Sequence, residues 1–578
     1  VRKRRLVLGF AVAAVLAAGP GWARKPTPTP TPRPIGGLVF SDRYQVTVVN
    51  VDVYVRDTKG NPVTGLTKDD FKVFQDGVEM PITNFAAYTE EVFRDRWQRA
   101  ARPSPGPTPV PEPEVEIKPI WVVIYVDNEN VKPLERNRVL RRVREWIRRT
   151  LRPPMQAMVV AYEKRLKVIQ PFTSDPREVN SALRSLRTHT AGGVDRASRR
   201  REIIDLMREF QTQERERPNE GYNYREYKNH AYRLIASFAD EEVNNLRFSL
   251  GALREMISMM AGLPGRKSVI YVSDGLPMTP GADLVFEYAA VFHDSSLLSL
   301  LSRYERSEEF QSLVSFANGL GVRFYTVETK GLKLEGGITA EDRYTADIQT
   351  ISVTEHNYQD SLRYLADGTG GLAVVNTNDV LPGLMNISKD FFTYYSLGYR
   401  INASGADKVH RIEVKCPTHP EYRLRYRRRF VEKSLESRVQ DRVLTALVID
   451  FDENPMQVDV EIGRPAPATS ERWTVPISVT FPLRKVALLP EGDDYVGRVV
   501  LFVAARDAGG KQSDLQRQEH EIRVPAADYE GLQRERWAIH LQLLMQEGSY
   551  RVAVGLMDYV TRQASYRTVK VRINPDGG

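Results

Sequence analysis

Apolar side chains run unbroken from Ile120 to Val126 and give way at Asp127 to Asn128, Glu129 and Asn130. A continuous apolar run closed by polar residues marks a parallel strand buried on both faces. Further runs over 155–162, 268–274, 322–328 and 371–375 alternate with segments of helical spacing over 134–151, 176–186, 248–261, 307–318 and 358–366. This alternation predicts a doubly wound parallel sheet over 118–390. In the first helix Val139, Leu140, Val143, Trp146, Ile147 and Leu151 share one face, and arginines such as Arg136, Arg141, Arg144 and Arg148 occupy the rest. Asp127 and Asp274 thereby reach the carboxyl tips of two buried strands, where open α/β sheets place their ligand sites.

On both sides of this region the period changes to that of strands. Residues 44–57 alternate apolar and polar positions, Thr67 to Asp70 form a capped turn, and Asp76-Gly77 follows 71–74 as a hairpin signal. A segment of 38–92 is thin for a stable sandwich by itself. Strands over 394–401, 410–416 and 422–430 are therefore expected to complete it, with the α/β domain inserted between. A helical connector (433–463) leads to an immunoglobulin-like β-sandwich over 464–578. The fold class is thus multi-domain α/β plus β, with a doubly wound sheet flanked by β-sandwich modules.

A charged, mostly helical insertion over 199–245 breaks the α/β spacing near Pro218, and Tyr222, Tyr224, Tyr227 and Tyr232 cluster just after the break. Two readings stand: the tyrosines pack a helical hairpin onto the domain, or they form a projecting contact surface.

The chain of 578 residues carries a net charge of +8 and one cysteine, Cys416. A single cysteine excludes an internal disulfide and any multi-cysteine zinc site. Arg2-Lys3-Arg4-Arg5, the apolar stretch 6–18 and Gly21-Trp22-Ala23 read as a secretory signal over 1–23, which makes the expected location periplasmic or extracellular. Proline-rich stretches over 24–37 and 93–117 read as extended linkers.

Several segments resemble the VWFA-related proteins abundant in Acidobacteria, a branch of the von Willebrand factor type A domains. They are Val63-Thr64-Gly65-Leu66-Thr67-Lys68-Asp69-Asp70-Phe71, Leu263-Pro264-Gly265-Arg266-Lys267 with Ser273-Asp274-Gly275, Gly321-Val322-Arg323-Phe324-Tyr325, and Tyr394-Tyr395-Ser396-Leu397-Gly398-Tyr399. The likeness covers roughly 40–430 and implies a type A (Rossmann-like) domain. It also implies a Mg²⁺ site of the pattern Asp-x-Ser-x-Ser, completed by a loop Thr and a later Asp. Asp127 and Asp274 match the two acids, whereas Glu129 and Val131 stand at the serine positions and Val194 at the threonine. Asp127, Glu129 and Asp274 are the candidate ligands, for Mg²⁺, Ca²⁺ or Mn²⁺. The competing reading is a degenerate site in which Asp127 and Asn130 satisfy loop amides and the next helix's N-terminus.

No G-x-S-x-G elbow or H-E-x-x-H helix occurs. Residues 262–268 lead into a strand, not a helix, and so do not form a P-loop. Cys416 and His419 lack a visible third group. The arginines at 423, 425, 427, 428 and 429 read as a charged strand face. The expected function is non-enzymatic binding or adhesion to a protein or cell-envelope component, with no nucleic acid. Asn128, Asn130, Tyr222, Tyr224 and Tyr227 are the candidate contacts. The alternatives are a metal-dependent adhesion protein with an Asp/Glu cation site and an envelope-directed hydrolase.

Overall fold

A computed structural model describes residues 45–100, 118–216, 224–332, 348–403, 407–449, 453–469 and 471–573. The expected signal, both linkers except the first residues of the second, and Tyr222 lie outside them. The described residues divide into two compact units, the first lying within 48–400 and 408–432, the second within 433–573 with the short stretches 45–47, 401–403 and 407. Among the described residues no helix is long and apolar enough to cross a membrane.

The first unit contains a six-stranded sheet. Its order is Ala373–Val374, Val322–Glu328, Arg266–Ser273, Ile120–Asp127, Met155–Tyr162, Leu166–Thr173. The first five strands run parallel and Leu166–Thr173 is antiparallel. Ile120 to Asp127 pair with Met155 to Tyr162 on one side, and Ile120 to Val126 with Arg266 to Val272 on the other. The chain builds outward from Ile120–Asp127, then returns to its other flank at Arg266–Ser273. That reversal opens a crevice at the carboxyl tips of these two strands. The expected apolar face of helix Pro133–Thr150 packs in the core with Leu384, Ile387 and Phe391 of helix Leu381–Phe392. The buried Trp146 indole donates to Ser388 Oγ at 2.6 Å.

Three local expectations change. Leu166–Thr173 forms an antiparallel edge strand that the reading for buried runs passes over, because it is half-exposed and contains Pro171. Tyr224–Met259 is one helix of 36 residues, not an insertion ending at 245 and a separate helix from 248. Its buried positions Val243, Leu246, Leu250 and Leu253 carry the helical period straight through. The stretch beginning at 93 is not linker throughout: helix Glu90–Ala100 buries Phe93 against Phe392.

The same unit holds two four-stranded sheets. One has the order Arg423–Arg425, Gln45–Arg56, Tyr394–Ala403, Ile82–Tyr88; the other Arg429–Glu432, Lys408–Lys415, Lys72–Gln75, Val78–Met80. Tyr394 pairs with Tyr88 and Leu397 with Phe85, while Val414 pairs with Val73. Asp76 and Gly77 adopt φ of 51° and 87°, the left-handed pair that a two-residue hairpin turn requires.

Buried charge joins these sheets to the α/β sheet. Asp390, fully buried, accepts from Arg56 Nη2 and from Arg425 Nη2, the latter at 2.8 Å from each carboxylate oxygen. The Tyr54 hydroxyl receives Arg266 and Arg323 from the starts of two α/β strands. Arg266 also donates to the carbonyls of Asp390 and Phe391 at 3.0 and 2.8 Å. The arginine run is thus not simply an exposed face. Arg425 turns inward to Asp390, and Arg427 donates to the Asn50 carbonyl at 2.7 Å.

In the second unit Arg472–Pro482 pairs with Arg536–Met545, and Asp494–Asp507 pairs with both Gln516–Pro525 and Gly548–Asp558. Val475, Ile477 and Val479 share one apolar core with Val499, Leu501, Val503 and Leu556. Alternate residues Val500, Phe502 and Ala504 pack instead on Val439 and Val443 of helix Leu435–Ala446. Asp459–Ile462, expected within a helical connector, is a strand of this unit.

Candidate functional site

Asp127 ends its strand at the reversal point and is 1% exposed. Its carboxylate caps no helix. Both oxygens accept from Asn130 Nδ2 at 2.9 Å, and Oδ2 also accepts from Tyr271 Oη at 2.6 Å and Ser273 Oγ at 3.2 Å. In place of the expected loop amides and helix N-terminus, the partners are side-chain donors: Asn130 from the loop itself, and Tyr271 and Ser273 from the neighbouring strand. Asp274 sits one residue beyond that strand, accepts from the buried Thr329 hydroxyl, and donates its N–H to the Asn130 carbonyl at 3.1 Å. A third strand tip also carries a buried acid, Glu328, which accepts from the Asn376 N–H at 2.8 Å and from Gln359.

The loop after Asp127 is locked from the other side. Asn128 is fully buried, donates to Glu163 at 2.7 Å and accepts from Arg136 at 3.0 Å. Gly192 N–H donates to the Asn128 carbonyl at 2.8 Å and Gly193 N–H to Val131 at 3.2 Å. A Cβ on Gly193 would lie 2.6 Å from the Val131 oxygen, so this approach needs glycine. Helix Gly193–Glu216 begins here and delivers Arg196 to the loop. Its Nη1 donates to Asn130 Oδ1 at 2.6 Å, its Nη2 to the Glu129 carbonyl at 3.3 Å, and its Nε lies 3.0 Å from Glu242. Glu242 belongs to helix Tyr224–Met259, so the insertion forms one wall of the site.

Glu129, Lys164, Arg196, Arg199, Phe238 and Phe248 line a cleft of about 440 Å³ beside this network. Glu129 faces the cleft, but Asn128 and Asn130 are 0% and 4% exposed, so neither presents its amide to a partner as expected. Tyr227 packs its ring 4.7 Å from Phe210, within the core of the helical hairpin, which favours the packing reading for that tyrosine. The side chains of Tyr222 and Tyr224 lie outside the described residues. Cys416 is buried with Thr418 at 3.7 Å, while His419 stacks on Tyr422.

The donor set does not fit a divalent ion. The oxygens of Asp127 are engaged by three side chains, Val131 and Val194 offer no oxygen, and Asp274 is engaged by Thr329. Among the described residues no group of three or more His, Cys, Asp and Glu gathers to hold a metal. Arg196, Tyr271 and Thr329 complete the site and were missed from sequence. Tyr271 reads as one more apolar strand position, and Arg196 as one charge in a charged helix.

Burial pushes the Asp127 carboxyl up from 3.8 to about 6, against the hydrogen bonds from Tyr271 and Asn130. The folded protein therefore binds more protons than the unfolded chain between pH 4 and 6. The cost of ionising Asp127 is complete above pH 6 and is relieved as pH falls through that value. That rise corresponds to about 3 kcal/mol. Asp127→Asn is expected to lose this dependence, so its unfolding free energy relative to wild type should rise from pH 4 to pH 7. Parallel urea-unfolding stabilities across that range would contradict the assignment.

No family model matches the chain, and no curated protein does. Among solved structures it is similar to the conserved hypothetical protein BatB from Bacteroides thetaiotaomicron, at 12% identity, covering 47% of this chain and 98% of that one, TM-score 0.22. Proximal thread matrix protein 1 from the mussel byssus matches at 10% identity, over 49% of each chain, TM-score 0.23. A von Willebrand factor type A structure from Catenulispora acidiphila matches at 10% identity, over 87% of this chain and 76% of that one, TM-score 0.22. The α/β sheet is defined by its own strand order and reversal point.

Proposed function

We propose that this chain is an exported, non-enzymatic binding protein of the VWFA-related type, which attaches to a protein or cell-envelope component through the loops at the sheet's carboxyl end. The observation that carries this reading is a set of apolar side chains left in solvent on segments bordering the strand tips. Leu134 is 84% exposed, Phe248 69%, Leu332 60% and Val194 45%. Leu134 opens the helix after the Asp127 loop, Val194 follows Gly193, Phe248 lines the cleft, and Leu332 follows the Glu328 strand. Large apolar groups exposed on several segments beside a rigid polar network suit a recognition face.

The residues beneath are pinned by hydrogen bonds, which favours a preformed surface over one that must order on binding. The 45–89 strands, the inserted α/β domain and the 394–432 strands act in this reading as one module that presents the face. The test is retention of the full chain on immobilised envelope fractions from the producing organism. Leu134→Asp and Phe248→Asp are expected to weaken binding at least about tenfold each without lowering Tm, since both side chains are exposed. Undiminished binding by both would overturn the proposal.

A further inference from the structure

We infer that Arg196 is the resident cation of this site: a guanidinium built into the chain takes over the electrostatic duty of a divalent ion and holds the face in one metal-independent state. The inference rests on the type A reading above, and it starts from the disagreement between the donor set and a metal.

An ion at a strand tip neutralises clustered acids and ties the loops that carry them to one another. Arg196 does both. Three of its nitrogens are directed at two separate segments: at the loop, where Nη1 meets Asn130 at 2.6 Å and Nη2 the Glu129 carbonyl at 3.3 Å, and at the long helix, where Nε meets Glu242 at 3.0 Å. Asn130 passes that connection to Asp127, because the same amide that accepts from Arg196 donates to both carboxylate oxygens. The positive charge is therefore one side chain away from the acid that ends the central strand. Glu242, 5% exposed at its side chain, fixes the guanidinium from the opposite helix. A guanidinium is planar and permanently charged, so it can serve this geometry at any physiological pH and at any metal concentration.

The surrounding substitutions are consistent with the exchange. Valine at 131 and 194 removes hydroxyls that an ion would need and an arginine would not. Gly192 and Gly193 let the start of the arginine's helix close onto the loop, where a Cβ at Gly192 would come within 2.8 Å of Glu129 Oε2. Burial raises the Glu242 carboxyl while Arg196 opposes that shift, so the pair depends on its cation.

The test uses the full chain and Mn²⁺ as the probe, by calorimetric titration and by thermal unfolding in Mn²⁺ or EDTA. Wild type is expected to bind no Mn²⁺ at this site and to keep the same Tm in both. Arg196→Ser leaves Asp127, Glu129 and Glu242 without their cation. Its Tm is expected to fall by about 5 °C or more, alike in Mn²⁺ and in EDTA because the remaining donors still do not fit an ion, and Arg196→Lys, which keeps the charge, is expected to recover most of the loss. Saturable Mn²⁺ binding by wild type that is lost in Asp127→Asn would overturn the inference, as would an Arg196→Ser protein equal to wild type in Tm. If Arg196→Ser does not fold, the wild-type titration and the milder Arg196→Gln decide. These measurements read metal and stability, so they fail separately from partner binding.

Discussion

Deleting residues 45–89 is expected to unfold strands that lie far along the chain. Tyr394–Ala403 takes its hydrogen-bond partners from Ile82–Tyr88 and Gln45–Arg56, and Lys408–Lys415 takes one of its two from Lys72–Gln75. Without them Tyr394–Ala403 loses both of its neighbours and Lys408–Lys415 keeps only Arg429–Glu432, so their backbone groups and inward side chains face water. The aromatic contacts of Phe71 with Tyr395 at 5.2 Å and of Tyr88 with Tyr394 at 4.4 Å disappear as well. Hydrogen exchange should show protection in 394–399 and 412–415 falling towards that of unstructured chain. Unchanged protection there would mean that the N-terminal strands fold as a separate bead.

Asp390→Ala is expected to destabilise the first unit by about 3–5 kcal/mol. Asp390 is 0% exposed, and its carboxylate meets Arg56, Arg425 and, at 3.2 Å, the Tyr325 hydroxyl. Removal leaves two arginines without their carboxylate in a region that already holds Arg266 and Arg323. The remaining acid nearby, Asp52, lies 3.2 Å from Arg266 Nε. The loss should exceed that from truncating an exposed pair such as Arg149–Glu145, where solvent screens both charges. A double-mutant cycle with Arg425→Met, followed by urea unfolding, measures the coupling. Additive losses would show that the pair is not the fastening it resembles geometrically.

Much of the α/β architecture was legible because fully buried strands leave an unmistakable apolar run, and because Asp127 and Asp274 terminate two of them. The helix face from Val139 to Leu151 was legible for the same reason, since burial imposes a period. The Asp76-Gly77 turn was legible from backbone chemistry alone. What escaped depends on partners distant in sequence. Leu166–Thr173 is a half-exposed edge with a proline, and its pattern resembles a loop. Glu90–Ala100 is dominated by charge and shows its apolar side only through Phe93 and Trp97. Arg425 stands in a run of arginines whose composition suggests solvent, and only the fold aims it at Asp390. Arg196 was hidden in the same way: a charged helix gives no sign of which guanidinium will meet a strand tip.

In the proposed function a partner docks on the carboxyl-end face. Photo-crosslinking reads this docking, with a benzophenone amino acid placed at Leu134 or Phe248 and, as control, at Arg149 near the far end of helix Pro133–Thr150. Light-dependent adducts of one size with the envelope fraction are expected from positions 134 and 248, none from 149, with no effect of EDTA. Adducts from 149 alone, or none from 134 and 248 while the chain still binds, would contradict it.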